Sequence, residues 1–151
     1  MKVLNIRDIR GLIINEKSKL EDIARECLRA LMARTETDIE HAELLCYYAE
    51  AAARLNPARA FLGIEYVEQA ITLAEKTGEP VMLARAYCLR VRLRGLRGQS
   101  RSELKKELLE LLRDIEAHWR LSTQQQERIT KLFKATSNAI DQRTFLPFLT
   151  R

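Results

Sequence analysis

A chain of 151 residues, 46% apolar and 31% charged, can bury one real core and is too short to expect two domains. Only five Gly and three Pro, against abundant Ala, Leu, Glu, Arg and Lys, exclude a sandwich, a barrel or a disordered chain and favour helices. The net charge of +5 is uneven: residues 1–79 carry 11 Lys/Arg and 14 Asp/Glu, residues 80–151 carry 15 and 7, a lopsided field that can orient a partner or a second copy.

The opening MKVLNIRDIRGLIIN places Arg7, Asp8 and Arg10 inside any would-be signal core, so no export signal is read, and residues 1–17 are taken as an N-terminal arm. No apolar run approaches the roughly 20 residues that cross a bilayer. Cys27, Cys46 and Cys88 are odd in number and widely spaced, with no CxxC. That argues against a disulfide framework and for a reducing, cytoplasmic setting.

Helix-start signals then recur. Ser18-x-x-Glu21, Thr37-x-x-Glu40, Ser100-x-x-Glu103 and Ser122-x-x-Gln125 all fit the capping box, in which hydroxyl and acid or amide satisfy otherwise unpaired first-turn N–H groups. Asn56-Pro57 and Gly78-Glu79-Pro80 mark breaks, and Gly98 closes a segment. These signals predict helices near 18–34, 37–55, 58–77, 80–97, 101–120 and 123–142 within a helical domain spanning 18–142, with a tail over 143–151.

Two helices make a unit of about 42 residues, and the side chains repeat at that interval. Leu20, Leu62 and Leu104 match, as do Leu31, Leu73 and Ile115, and Leu28, Ala70 and Leu112. In the other helix of each unit Ala42 matches Ala84, Cys46 matches Cys88, Ala49 matches Val91 and Ala53 matches Gly95. This settles the stretch 84–98, whose alternating LRVRLR also reads as a strand: it is the counterpart of the alanine-rich AELLCYYAEAAARL and therefore a helix. A single hairpin cannot bury its apolar face, so the units must stack. The first helix, 18–34, has no partner before it, and its stacking face must be covered by residues 1–15, by another copy or by an upstream domain. The expected fold is all-α, with three stacked antiparallel helical hairpins.

The run ITLAEKTGEPVMLARAYCLRVRLRGLRG, 71–98, resembles tetratricopeptide-like repeats, especially the longer variety in maltose-activator-type bacterial regulators. There a helix ending in an LA-x-x-TG turn precedes an ARA-rich helix closing on Gly. Gly63, Val67 and Ala70 sit at spacings like the small, aromatic, small set of that family's second helix, with Val67 in the aromatic place. The resemblance covers about residues 37–120, with a period longer than the usual 34 and no Trp opening the first helix.

Enzymatic signatures are absent: no Gly-rich phosphate loop, no GxSxG, and two distant histidines, His41 and His118. His41 with Glu36, Glu40 and Glu43 is set aside as a metal site because a lone histidine on an acidic helix is usually solvated. No cofactor or metal is expected. Cys46 and Cys88 read as small packing residues.

The basic segment carries the functional edge. Arg90, Arg94 and Arg97 form one helical stripe, Arg85 and Arg92 a second, and Arg101 continues the run. One reading has Arg94 and Arg97 complementing the helix dipole and the rest solvated or paired with Glu. The resemblance implies another: the first helix of each unit lines a concave groove, and an Arg-lined groove would select an acidic peptide or protein surface. The expectation is a non-catalytic protein-interaction or sensor scaffold in bacterial signalling or transcriptional regulation. The alternatives are a nucleic-acid-binding helical repeat, and a module that dimerises through the N-terminal helix.

Overall fold

The computed structural model describes residues 2–15 and 17–143, and among them the secondary structure is helical without strands. The helices are α1 (Ile6–Ile14), α2 (Leu20–Ala33), α3 (Asp38–Leu55), α4 (Ala60–Thr77), α5 (Pro80–Leu96), α6 (Arg101–His118) and α7 (Thr123–Asp141), with a 3-10 turn at Pro57–Arg59 before α4. Six match the predicted segments within a few residues. The stretch 84–98 is helical through Leu96.

Local chemistry sets the ends. Thr37 and Ser122 make full capping boxes with Glu40 and Gln125, and the Ser100 hydroxyl accepts the Glu103 N–H. The structure places the N-cap of α2 at Lys19, one residue after the expected Ser18, without a side-chain hydrogen bond from Lys19. Between α4 and α5, Gly78 takes φ 71°, where a side chain would be strained, and the Glu79 N–H returns to the Ala74 carbonyl at 3.0 Å. Pro80 then starts α5 at a position that needs no N–H partner.

The expected N-terminal arm contains a helix. Asn5 caps α1 by accepting the Asp8 N–H at 2.8 Å, and Ile6, Ile9 and Ile13 are buried. This stretch packs on α2, so the chain itself supplies a cover for that stacking face. Arg10 ties it further to α3 through two 2.7 Å bonds to Glu43.

Consecutive helices pack against one another, and α3, α5 and α7 also pack in series. They form a first layer onto which α2, α4 and α6 are laid. Small residues allow close approach: a Cβ on Gly63 would stand 3.2 Å from both the Ala49 carbonyl oxygen and Leu93 Cδ1. In α3 and α5 the 42-residue matches all share one environment, with Ala42, Ala84, Cys46, Cys88, Ala49, Val91, Ala53 and Gly95 buried.

The second layer keeps a different register. Leu104 is fully buried, Leu20 is half-buried and Leu62 is 38% exposed. Leu28 is likewise exposed where Ala70 is buried. By burial, Ile23, Cys27, Ala30 and Leu31 of α2 correspond to Gly63, Val67, Ala70 and Ile71 of α4, an offset of 40 residues. Gly63, Val67 and Ala74 then correspond to Leu104, Leu108 and Ile115 of α6, at 41. The buried face of the second-layer helices thus falls one or two residues out of register with the 42-residue sequence repeat, which their free outer face permits.

Candidate functional site

Arg85, Arg90, Arg92 and Arg94 lie on α5, Arg97 caps its C-terminus and Arg101 opens α6; α5 is the most enclosed of the described helices. Its apolar and small residues point in every direction, and α3, α4, α6 and α7 all pack on it. The expected open groove wall is therefore not formed by α5 as a whole. The arginines divide into three sets according to what each meets.

Arg85 and Arg92 face the neighbouring first-layer helices. The Arg85 guanidinium lies over the Tyr47 ring, 4.8 Å from its centroid. Tyr47 donates a 2.6 Å hydrogen bond to Glu43, which in turn receives Arg10. Burial pushes the Glu43 carboxyl up, but the hydrogen bonds from Arg10 and Tyr47 and the charges of Arg10 and Arg85 outweigh it and hold the group below its ordinary range. Burial tends to lower the Arg85 pKa, yet the neighbouring Tyr47, Cys46 and Glu43 raise it above the usual value. Two turns further along α5, Arg92 is buried and donates to the Ala135 carbonyl of α7 at 3.4 Å. Desolvation pulls its pKa to about 10, against the opposing charge of Glu50, itself fully buried on α3. Glu43 and Glu50 are seven residues apart on α3, as are Arg85 and Arg92 on α5, and the two pairs occupy equivalent repeat positions. The second stripe is an internal polar seam, and neither Arg85 nor Arg92 lies on an open groove.

Arg94 and Arg101 are paired with acids of the last hairpin. Arg94 forms a close ion pair with Glu107 of α6, and Arg101 meets Asp141 of α7 at 2.7 Å, where Lys105 also binds at 2.8 Å. Arg90 stacks over Tyr87 at 5.3 Å, and its Nε is buried with no hydrogen-bond partner among the described residues. Desolvation and the adjacent Arg94 charge lower its pKa.

Arg97 alone of the six combines exposure with an apolar platform. It lies over Phe61 at 5.8 Å, and a shallow depression beside it is lined by Ile64, Arg94, Arg97, Gly98 and Gln99. Phe61 and Ile64 belong to α4 and were not singled out from sequence. Antiparallel pairing about the turn would have found them, since Phe61 and Arg97 are equally distant from Glu79, as are Ile64 and Arg94.

Reactive groups are scarce. Burial pushes the thiols of Cys27, Cys46 and Cys88 up to about 12, far from a usable thiolate. Nδ1 of His41 is 3.4 Å from Glu36, and Nδ1 of His118 is 2.8 Å from the Asp114 carbonyl. Among the described residues no group of three His, Cys, Asp or Glu side chains is placed to hold a metal, and no helix is long and apolar enough to cross a membrane. No family model, curated protein or solved structure matches the chain.

Proposed function

We propose that the chain is a non-catalytic helical-repeat scaffold that binds an acidic peptide or protein surface at the α4–α5–α6 edge, with Arg97 as the principal contact and Arg94 and Arg90 behind it. The observation that carries this reading is the depression lined by Ile64, Arg94 and Arg97, with the exposed Phe61 ring under the Arg97 guanidinium beside it. A guanidinium presents a planar fork of donors suited to carboxylates, and an apolar floor beside it reduces competition from water. The setting in bacterial signalling or transcription control follows from the tetratricopeptide-like resemblance.

The contact set is narrower than the sequence suggests. Charge reversal at Arg94 would place two carboxylates together at Glu107 and perturb folding as well as binding. Arg97→Glu is the cleaner variant. With a fluorescent oligo-glutamate peptide as probe, anisotropy titration should show Arg97→Glu weakening binding roughly tenfold or more, about 1.4 kcal/mol, with an unchanged melting temperature. Equal affinity in the two proteins would remove this surface from the account. Tighter binding to random DNA or RNA, falling steeply with salt, would instead support the nucleic-acid reading.

A further inference from the structure

Helices α2 and α4 both lie on α3, and between them runs a cleft that shares no residue with the Arg97 depression. It has two basins, which meet at Arg34, His41 and Gln69. One basin, of about 500 Å³, is polar and continues over Glu36, Asp38 and Thr72. The other, of about 360 Å³, is walled by Leu28, Leu31, Met32, Leu45 and Tyr66. Leu31 and Leu45 are buried at its base, whereas Leu28 and Met32 are 37% and 76% exposed, apolar side chains held open to water. The Tyr66 ring is braced edge-on against Tyr48, with 5.3 Å between centroids. An apolar body with a few polar groups gathered at one end is the usual form of a small-molecule site, and the volumes are of that size.

The polar basin has its acids engaged and its donors open. Glu36 accepts the Thr35 N–H at 2.8 Å and lies 3.4 Å from Nδ1 of His41, and Asp38 meets Lys76 at 3.5 Å. The side chains of Arg34 and Gln69 have no hydrogen bond or ion pair among the described residues. Arg34 also sits in the left-handed region at φ 53°, where the turns after α4 and α5 use Gly78 and Gly98. The backbone thus accepts strain at the residue whose side chain stands where the basins join. We propose that this cleft binds an aliphatic monocarboxylate, with its carboxylate on Arg34 and the Gln69 amide and its chain along Leu28, Leu31, Met32 and Leu45. The guanidinium fork matches a carboxylate with two parallel hydrogen bonds, and the wall beyond it offers contact to a chain and no second charge. From Arg34 back to Leu28 the α2 backbone rises about 9 Å, which suits a chain of medium length. A cationic head would face Arg34 and find both acids already engaged. The inference is independent of the Arg97 edge, and either can fail without the other.

Sodium octanoate titrated into the isotope-labelled full chain, read by nuclear magnetic resonance, tests this. Octanoate should bind with a Kd below about 1 mM and shift the Gln69 side-chain amide together with the backbone amides around Met32. Acetate, the head without the chain, and octanol, the chain without the head, should each bind about tenfold more weakly or worse. Arg34→Gly relieves the left-handed strain, so its melting temperature should be no lower than that of the parent, while octanoate affinity falls about tenfold or more. Arg34→Gln should lose affinity likewise, and so should Met32→Glu, which places an acid on the exposed part of the wall. Unchanged affinity in the Arg34 variants would overturn the proposal. So would shifts confined to other parts of the chain, or none at about 10 mM octanoate. Octanol binding as tightly as octanoate, or octylammonium binding more tightly, would overturn it as well.

Discussion

The first layer and the second layer were built from the same sequence repeat, yet only one kept it. In α3 and α5 every 42-residue match falls in a buried place, whereas α2, α4 and α6 match one another at 40 and then 41 residues. The difference lies in how many sides are packed. α5 is enclosed by four helices, and its Ala, Cys, Val and Gly positions are fixed by close approach from more than one direction. A second-layer helix packs on one face only. It can shift its register by one or two residues and recover with side chains of another size, such as Gly63 where α6 has Leu104. Sequence periodicity is thus most faithful where packing is most constrained.

That contrast can be sharpened by substitution, beginning where the effect is largest. Arg92→Ala would leave the buried Glu50 carboxylate without its opposing charge inside the first layer, and should cost about 3–5 kcal/mol in urea unfolding. Replacing both residues, Glu50→Gln with Arg92→Met, should recover much of that loss. Gly63→Val presses on the Ala49 carbonyl and on Leu93 across the layer boundary, and should destabilise by about 1–3 kcal/mol. The smallest effect concerns the α1 tether. Glu43 titrates below its ordinary range in the folded chain, so its contribution is complete at pH values above the unfolded carboxylate pKa of about 4.3 and disappears as pH falls through the folded value. Hydrogen exchange in α1 should therefore accelerate relative to α3 on acidification, and Glu43→Gln should show the fast behaviour already at neutral pH.

Much of the fold is legible in the sequence because its signals are local. Capping residues at Thr37 and Ser122, the Gly78–Pro80 turn and the small-residue spacing of α3 and α5 act through neighbours a few positions away. Asn5 and the i, i+3, i+7 isoleucines of α1 were equally readable, but one turn of cap and three apolar residues interrupted by Gly11 read as a covering arm. The site was less legible. A stripe of arginines on a helix does not say which side is covered, and that depends on α3 and α7, about 40 residues away: Glu50 and the Ala135 carbonyl claim Arg92, and Tyr47 claims Arg85. Half of the positive surplus after residue 80 comes from α5, whose Arg85 and Arg92 face Glu43 and Glu50 of α3 across the first layer, so part of the apparent field is matched within the fold.

Leu62 and Leu104 put the layered account to its most direct test, because the sequence repeat makes them equivalent and the packing does not. Urea unfolding of Leu104→Ala should lose about 2–5 kcal/mol, as expected for a fully buried leucine, while Leu62→Ala should lose less than about 1 kcal/mol. Equal losses at the two positions would mean that the second-layer helices do follow the 42-residue repeat, and the account of an outer layer shifted in register would be wrong.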